Sequence, residues 1–190
     1  MNPVWIITGK EVRDSLRNRW VLAAALLLAA LALSLGFLGS SPTGSVKVDS
    51  LTVTVVSLSS LSIFLIPLIA MLLSYDALIG EIERGTMALL LSYPISRNQI
   101  LAGKFIGHLI ILTLATTAGY GLAGITLQLA NGGFDIAAWQ PFALLIAASV
   151  ILGAAFLSMG YLISAKVKER GTAAGIAIGV WLFFVVIFDM

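Results

Sequence analysis

Residues 51–73 read LTVTVVSLSSLSIFLIPLIAMLL. No Asp, Glu, Lys or Arg interrupts the run, and its length is close to the ~20 residues that a helix needs to cross hydrocarbon. Lipid offers no water to backbone polar groups, so such a run must satisfy its own N–H and C=O groups, which a helix does. The in–out alternation of a membrane strand is absent. Outward from this run, residues 20–38, 106–129, 142–163 and 172–188 repeat the pattern, again without Asp, Glu, Lys or Arg. The fold class read from this is all-α, a polytopic transmembrane helical bundle forming one domain over residues 1–190. Composition agrees. Of the 190 residues, 59% are hydrophobic and 11% charged, and the mean hydropathy is +1.05. A soluble domain carries about 25% charged residues. The absence of cysteine excludes disulfides and thiolate metal sites. The first turns mix acids with bases and lead to no small-residue cleavage site, unlike a signal peptide.

The basic residues set the orientation. Lys10, Arg13, Arg17 and Arg19 precede the first span; Arg84, Arg97 and Lys104 follow the second; Lys166, Lys168 and Arg170 follow the fourth. Only Lys47 lies after the first span, and none lies after the third. The positive-inside rule therefore predicts a cytoplasmic N-terminus, with 39–50 and 130–141 facing outward. Topology accounts for the net charge of +2 without a nucleic-acid partner. An outward C-terminus after an unterminated apolar run predicts that the natural chain continues past Met190 into a further span.

Residues 4–19 are amphipathic. Trp5, Gly9, Val12, Leu16 and Trp20 recur at helical spacing, with Lys10, Arg13, Asp14 and Arg17 off that stripe. The pattern predicts a helix in the inner interface, its bases near anionic lipid headgroups. The alternative is a plain extension of the first span.

Residues 76–104, DALIGEIERGTMALLLSYPISRNQILAGK, mix polar with apolar residues and do not span. Glu81, Glu83 and Arg84 lie between Gly80 and Gly85, read as a charged knot with flexible flanks. Thr86–Tyr93 predicts a short helix, which Pro94 ends. Ser96 and Gln99 match a capping box that starts the next helix. The outcome is an elbow on the cytoplasmic face, a lever joined to two membrane helices.

This elbow resembles the cytoplasmic loop of ABC-2 type ABC transporter permeases, on Glu81, Glu83, Gly85, Thr86, Leu89–Leu91, Pro94, Ser96, Arg97 and Lys104. Where many relatives carry Glu, this chain has Ala88. The opening Lys10–Trp20 also resembles those permeases, and with the short outer loops is most similar to the permeases of nitrous oxide reductase maturation transporters. The resemblance implies six spans and a bacterial inner-membrane location. It implies a homodimer with a second permease copy and two cytoplasmic ABC ATPase subunits. Those would dock through Glu81, Glu83, Arg84, Gly85, Thr86, Pro94 and Arg97. It further implies a periplasmic β-helical partner and a role in assembling the reductase's copper–sulfur centre. Export of a drug, lipid or glycan, and a structural subunit without transport, remain the alternatives.

Other patterns carry less. Residues 39–45 nearly fit a phosphate-binding loop but lack its lysine, so ATP hydrolysis belongs to a partner. Gly119, Gly121 and Gly124 match a dinucleotide fingerprint without a preceding strand, which points to helix packing. Gly171, Gly175 and Gly179 form a small-residue face for a helix–helix or dimer contact, with packing inside the chain an equal alternative; Gly103 and Gly107 form a shorter one. His108 is the sole histidine and reads as a polar residue near a helix end, not a metal ligand. Pro67 predicts a kink. An intramembrane enzyme or an ion-coupled carrier would need ionisable groups at membrane depth, and the five spans hold no Asp, Glu, Lys or Arg. No catalytic, cofactor-binding or metal residue is assigned.

Overall fold

A computed structural model of the chain describes residues 2–17, 23–24, 26–31, 33–34, 50–130 and 139–189. About half of the expected first span, Trp20 included, and the greater part of both outer loops lie outside the described residues. What is described is helical, with no strand. The elements are α1 (Pro3–Arg17), α2 (Ser50–Ser74), α3 (Ile79–Glu83), α4 (Thr86–Ser92), α5 (Arg97–Ala130), α6 (Trp139–Lys166) and α7 (Arg170–Asp189). Helical residues within 23–34 precede α2. Among the described residues, α2, α5 and α6 are long and apolar enough to cross a membrane.

Local signals explain the boundaries. The Asn2 side chain accepts a hydrogen bond from the Val4 N–H at 3.1 Å, and Pro3 occupies the first helical position, where its missing N–H costs nothing. The capping box forms reciprocally. Gln99 N–H donates to Ser96 Oγ at 3.2 Å, and Ser96 N–H to Gln99 Oε1 at 3.0 Å. From there α5 runs unbroken to Ala130. Pro67 lies inside an α2 that continues past it.

The core sits where α2, α5 and α6 meet. Leu58, Ile66, Ala70, Met71, Leu112 and Leu157 are buried there. Two polar pairs lie among these helices: Ser62 Oγ is 2.6 Å from the Tyr120 hydroxyl, and Trp139 Nε1 donates to Gln128 Oε1 at 2.8 Å. Such pairs satisfy groups that hydrocarbon would leave unsatisfied. α7 packs through Ala173 and Ala177, and Trp181 Nε1 donates to the Phe64 carbonyl of α2 at 2.9 Å. At the opposite edge α1 lies against the start of α5, and α3 and α4 form the connection from α2 to α5.

Candidate functional site at the elbow between α2 and α5

The elbow is built from two unlike halves. α3 is short, so its end groups need partners from elsewhere. Ser164 of α6 supplies them at the N-terminus, where its Oγ accepts from Leu78 N–H at 3.0 Å and Ile79 N–H at 3.1 Å. Asp76 pairs with Arg170 at 2.7 Å. Glu83 accepts the Arg170 backbone N–H at 2.8 Å and thereby caps α7. Gly80 is not the flexible flank that the sequence suggests. It is buried inside α3, where an added Cβ would collide with the Asp76 carboxylate.

Glu81 points inward. It is 5% exposed, and its Oε1 lies 2.7 Å from Lys104 Nζ and 3.4 Å from Lys10 Nζ. Lys104 also reaches Glu11 Oε1 at 2.8 Å, with Lys10 3.3 Å from the same oxygen. Glu11 Oε2 lies 3.7 Å from His108 Nε2, and His108 Nδ1 is 2.8 Å from the Tyr161 hydroxyl. Two lysines thus face two glutamates, and all but Lys10 are buried. Burial opposes ionisation of Glu11, but Lys104, with Lys10 and His108, outweighs it and holds the carboxyl below the ordinary range. Burial also works against the Lys10 ammonium, yet Glu11 and Glu81 outweigh it and raise its pKa.

Two glycines admit α1 to this pocket. A Cβ on Gly103 would lie 2.8 Å from Ile7 Cβ, and one on Gly107 would lie 2.6 Å from Glu11 Cβ. Thr8 Oγ1 donates to the Gly103 carbonyl at 3.0 Å. The face that packs is therefore Ile7, Thr8 and Glu11. Trp5 and Leu16, from the stripe read in the sequence, are exposed.

α4 is the opposite of α3. Gly85 turns the chain at φ +73°, a left-handed conformation that side chains resist. Beyond it no residue of α4 is buried. Leu89 is 67% exposed and Tyr93 64%. Glu83, Arg84, Thr86, Pro94 and Arg97 are exposed as well. An open cleft of about 570 Å³ lies beneath, lined by Ile82, Met87, Leu91, Arg97 and Leu101 among others. The elbow therefore brings together the sequence-derived residues except Glu81, whose carboxylate is engaged inside the chain. Sequence reasoning missed Glu11, Lys10 and Lys104 as its partners. Their distance along the chain hid the contact.

The family described as ABC-2 family transporter protein matches residues 5–190. The chain belongs to this family. It is an ABC-2 type permease, the membrane component of an ABC transporter. It is 47% identical to the probable ABC transporter permease protein NosY of Stutzerimonas stutzeri, over all of this chain and 69% of that relative. It is 45% identical to the protein of the same name from Pseudomonas aeruginosa, over all of this chain and 70% of the relative. In this permease Gly171, Gly175 and Gly179 have open space where a Cβ would stand, so no described part of the chain packs on that face. His108, read as a helix-end polar group, lies in the buried charge set. Among the described residues no cluster of His, Asp and Glu could hold a metal ion.

Proposed function

We propose that the permease is driven by two separate cytoplasmic ABC ATPase subunits that dock on α4 and its flanks. The transporter so formed supports assembly of the copper–sulfur centre of a periplasmic nitrous oxide reductase, alongside a periplasmic β-helical protein. One observation carries the docking reading: α4 buries none of its residues in its own chain while α3, a few residues away, is clamped. An apolar helix left bare at the end of a lever fits a partner's groove. A partner covering Leu89 gains about 1.5–3 kcal/mol from that side chain alone. Arg84 and Arg97 flank it and suit an acidic rim. Glu83 contributes by capping α7, and Glu81 by holding α3 in place.

The N-terminus lies in the cytoplasm of a bacterial inner membrane, with the elbow on the same side. The asymmetry of basic residues supports this. A second permease copy packs on the open face of Gly171, Gly175 and Gly179, where close approach needs no rearrangement. ATP is bound and hydrolysed by the partner, and the permease itself holds no cofactor. The maturation role rests on the resemblance to NosY permeases.

Leu89→Ser tests the docking reading in cells that carry the transporter. The expected result is a permease that inserts normally, no longer co-purifies with the ATPase, and leaves nitrous oxide reductase without its copper–sulfur absorption. Normal co-purification removes the docking reading. Loss of docking with an intact reductase centre removes the maturation role and keeps the permease.

A further inference from the structure

We propose that Lys104 is a positioning residue that makes α1 and the coupling elbow move as one body. The inference rests on the docking reading above and adds α1 to the apparatus. Lys104 stands on α5 with its side chain 3% exposed, and its Nζ is shared between Glu11 of α1 at 2.8 Å and Glu81 of α3 at 2.7 Å. Lys10, on the open side, spans the same two oxygens at 3.3 and 3.4 Å. One ammonium group on one helix is thus the common partner of acids from two others.

Stability alone does not explain this arrangement. A well-packed apolar trio of similar volume does as well or better, because burying ions is expensive. What charge adds is register. If α1 slips along α5, or the elbow lifts away, a buried carboxylate loses its cation, which is strongly unfavourable. An apolar contact would let the helices slide at less expense. The lock is also incompletely filled. Both lysines approach only the Oε1 atoms, and Glu81 Oε2 is buried without a hydrogen-bond partner. Glu81 is therefore held from one side, as suits a contact that must turn with the elbow. The bare Gly103–Gly107 surface beneath α1 completes the coupling, because it seats Glu11 directly beside α5. Force applied at α4 then reaches α1 through Glu81, Lys104 and Glu11.

The test uses the whole transporter with its ATPase. The chain has no cysteine, so spin labels go on Arg13→Cys and on Ile82→Cys of α3, both exposed. The expected result is one narrow distance distribution that a non-hydrolysable ATP analogue leaves unchanged. Glu11→Gln should broaden it in the nucleotide-bound state. Transport-linked ATP turnover should fall about tenfold, within the usual range of a coupling free energy, while ATPase co-purification persists. Adding Glu81→Gln should cost little more, because both acids act through one lysine. Wild-type distances and turnover in Glu11→Gln overturn the proposal, as do losses that simply add. If Glu11→Gln fails to insert, Glu11→Asp keeps the charge but withdraws it; broadening there supports the lock and an unchanged distribution overturns it. The two readings fail separately. Leu89→Ser that retains the ATPase removes docking, whereas Leu89→Ser that loses it beside a wild-type Glu11→Gln removes only the role of Lys104.

Discussion

α3 and α4 are neighbours in sequence and opposites in environment. Ile79, Gly80 and Glu81 of α3 are buried, and its ends are tied to α6 by Ser164 and to α7 by Glu83. α4 has no buried residue, although its sequence, TMALLLS, is the more apolar of the two. Hydropathy alone would have placed α4 inside and α3 outside. The reversal teaches that charge, once matched across helices, can anchor a segment more firmly than apolar character does. It also leaves the apolar segment free for another surface.

Breaking the anchor should show the largest effect. Lys104→Met leaves Glu11 and Glu81 buried with only the half-exposed Lys10 to balance them. A loss of about 3–5 kcal/mol is expected, read as a lower thermal midpoint of the detergent-solubilised permease. An unchanged midpoint would mean that water already reaches the pocket. Next comes Gly107→Val, which pushes Glu11 off α5. Overpacking of this kind costs about 1–3 kcal/mol, and protease cleavage within residues 3–17 should speed up; cleavage at the wild-type rate would count against the close α1–α5 contact.

Ser164→Ala removes one acceptor for two N–H groups of α3. By analogy with helix N-caps it should cost about 0.5–2 kcal/mol, seen as faster hydrogen exchange at Leu78 and Ile79. Exchange unchanged at both amides would show that α3 is held by its charges alone. Acid supplies the mildest perturbation. Because Glu11 ionises more readily when folded, its contribution is fully present above the ordinary carboxyl value of 4.5 and is lost as pH falls through the folded value. Lys104, Lys10, His108 and Glu81 all face this carboxyl. Spin labels on Arg13→Cys and Leu101→Cys should therefore stay together at and above pH 4.5 and separate only as pH falls through the lower folded value. A label pair within α4 should not respond, and an acid response confined to α4 would reverse the comparison.

Much of the fold was legible because its physics is local. Uncharged runs must be helices in lipid, Ser96 and Gln99 cap α5 within a single turn, and Pro94 with Gly85 delimits α4. The exposed residues of the elbow, Arg84, Thr86, Pro94 and Arg97, were legible for the same reason. Glu81 was not. Its surroundings in sequence, between Gly80 and Glu83, describe a solvated turn equally well, and nothing nearby announces Lys104 or Glu11. His108 likewise read as a lone polar residue, because its partners Glu11 and Tyr161 come from other helices.

The amino-acid sequence by itself determined the helical class, the principal helix boundaries and the family, since each follows from hydrocarbon length, backbone satisfaction or contiguous motifs. Tertiary structure decided which face of α1 packs, that Gly80 is a close contact instead of a hinge, and that Gly171, Gly175 and Gly179 remain uncovered among the described residues. It also decided that Glu81 turns inward. The reason is that a charge's role depends on which opposite charge lies within a few ångströms, and only the packing of α1, α3 and α5 brings Lys104 between Glu11 and Glu81.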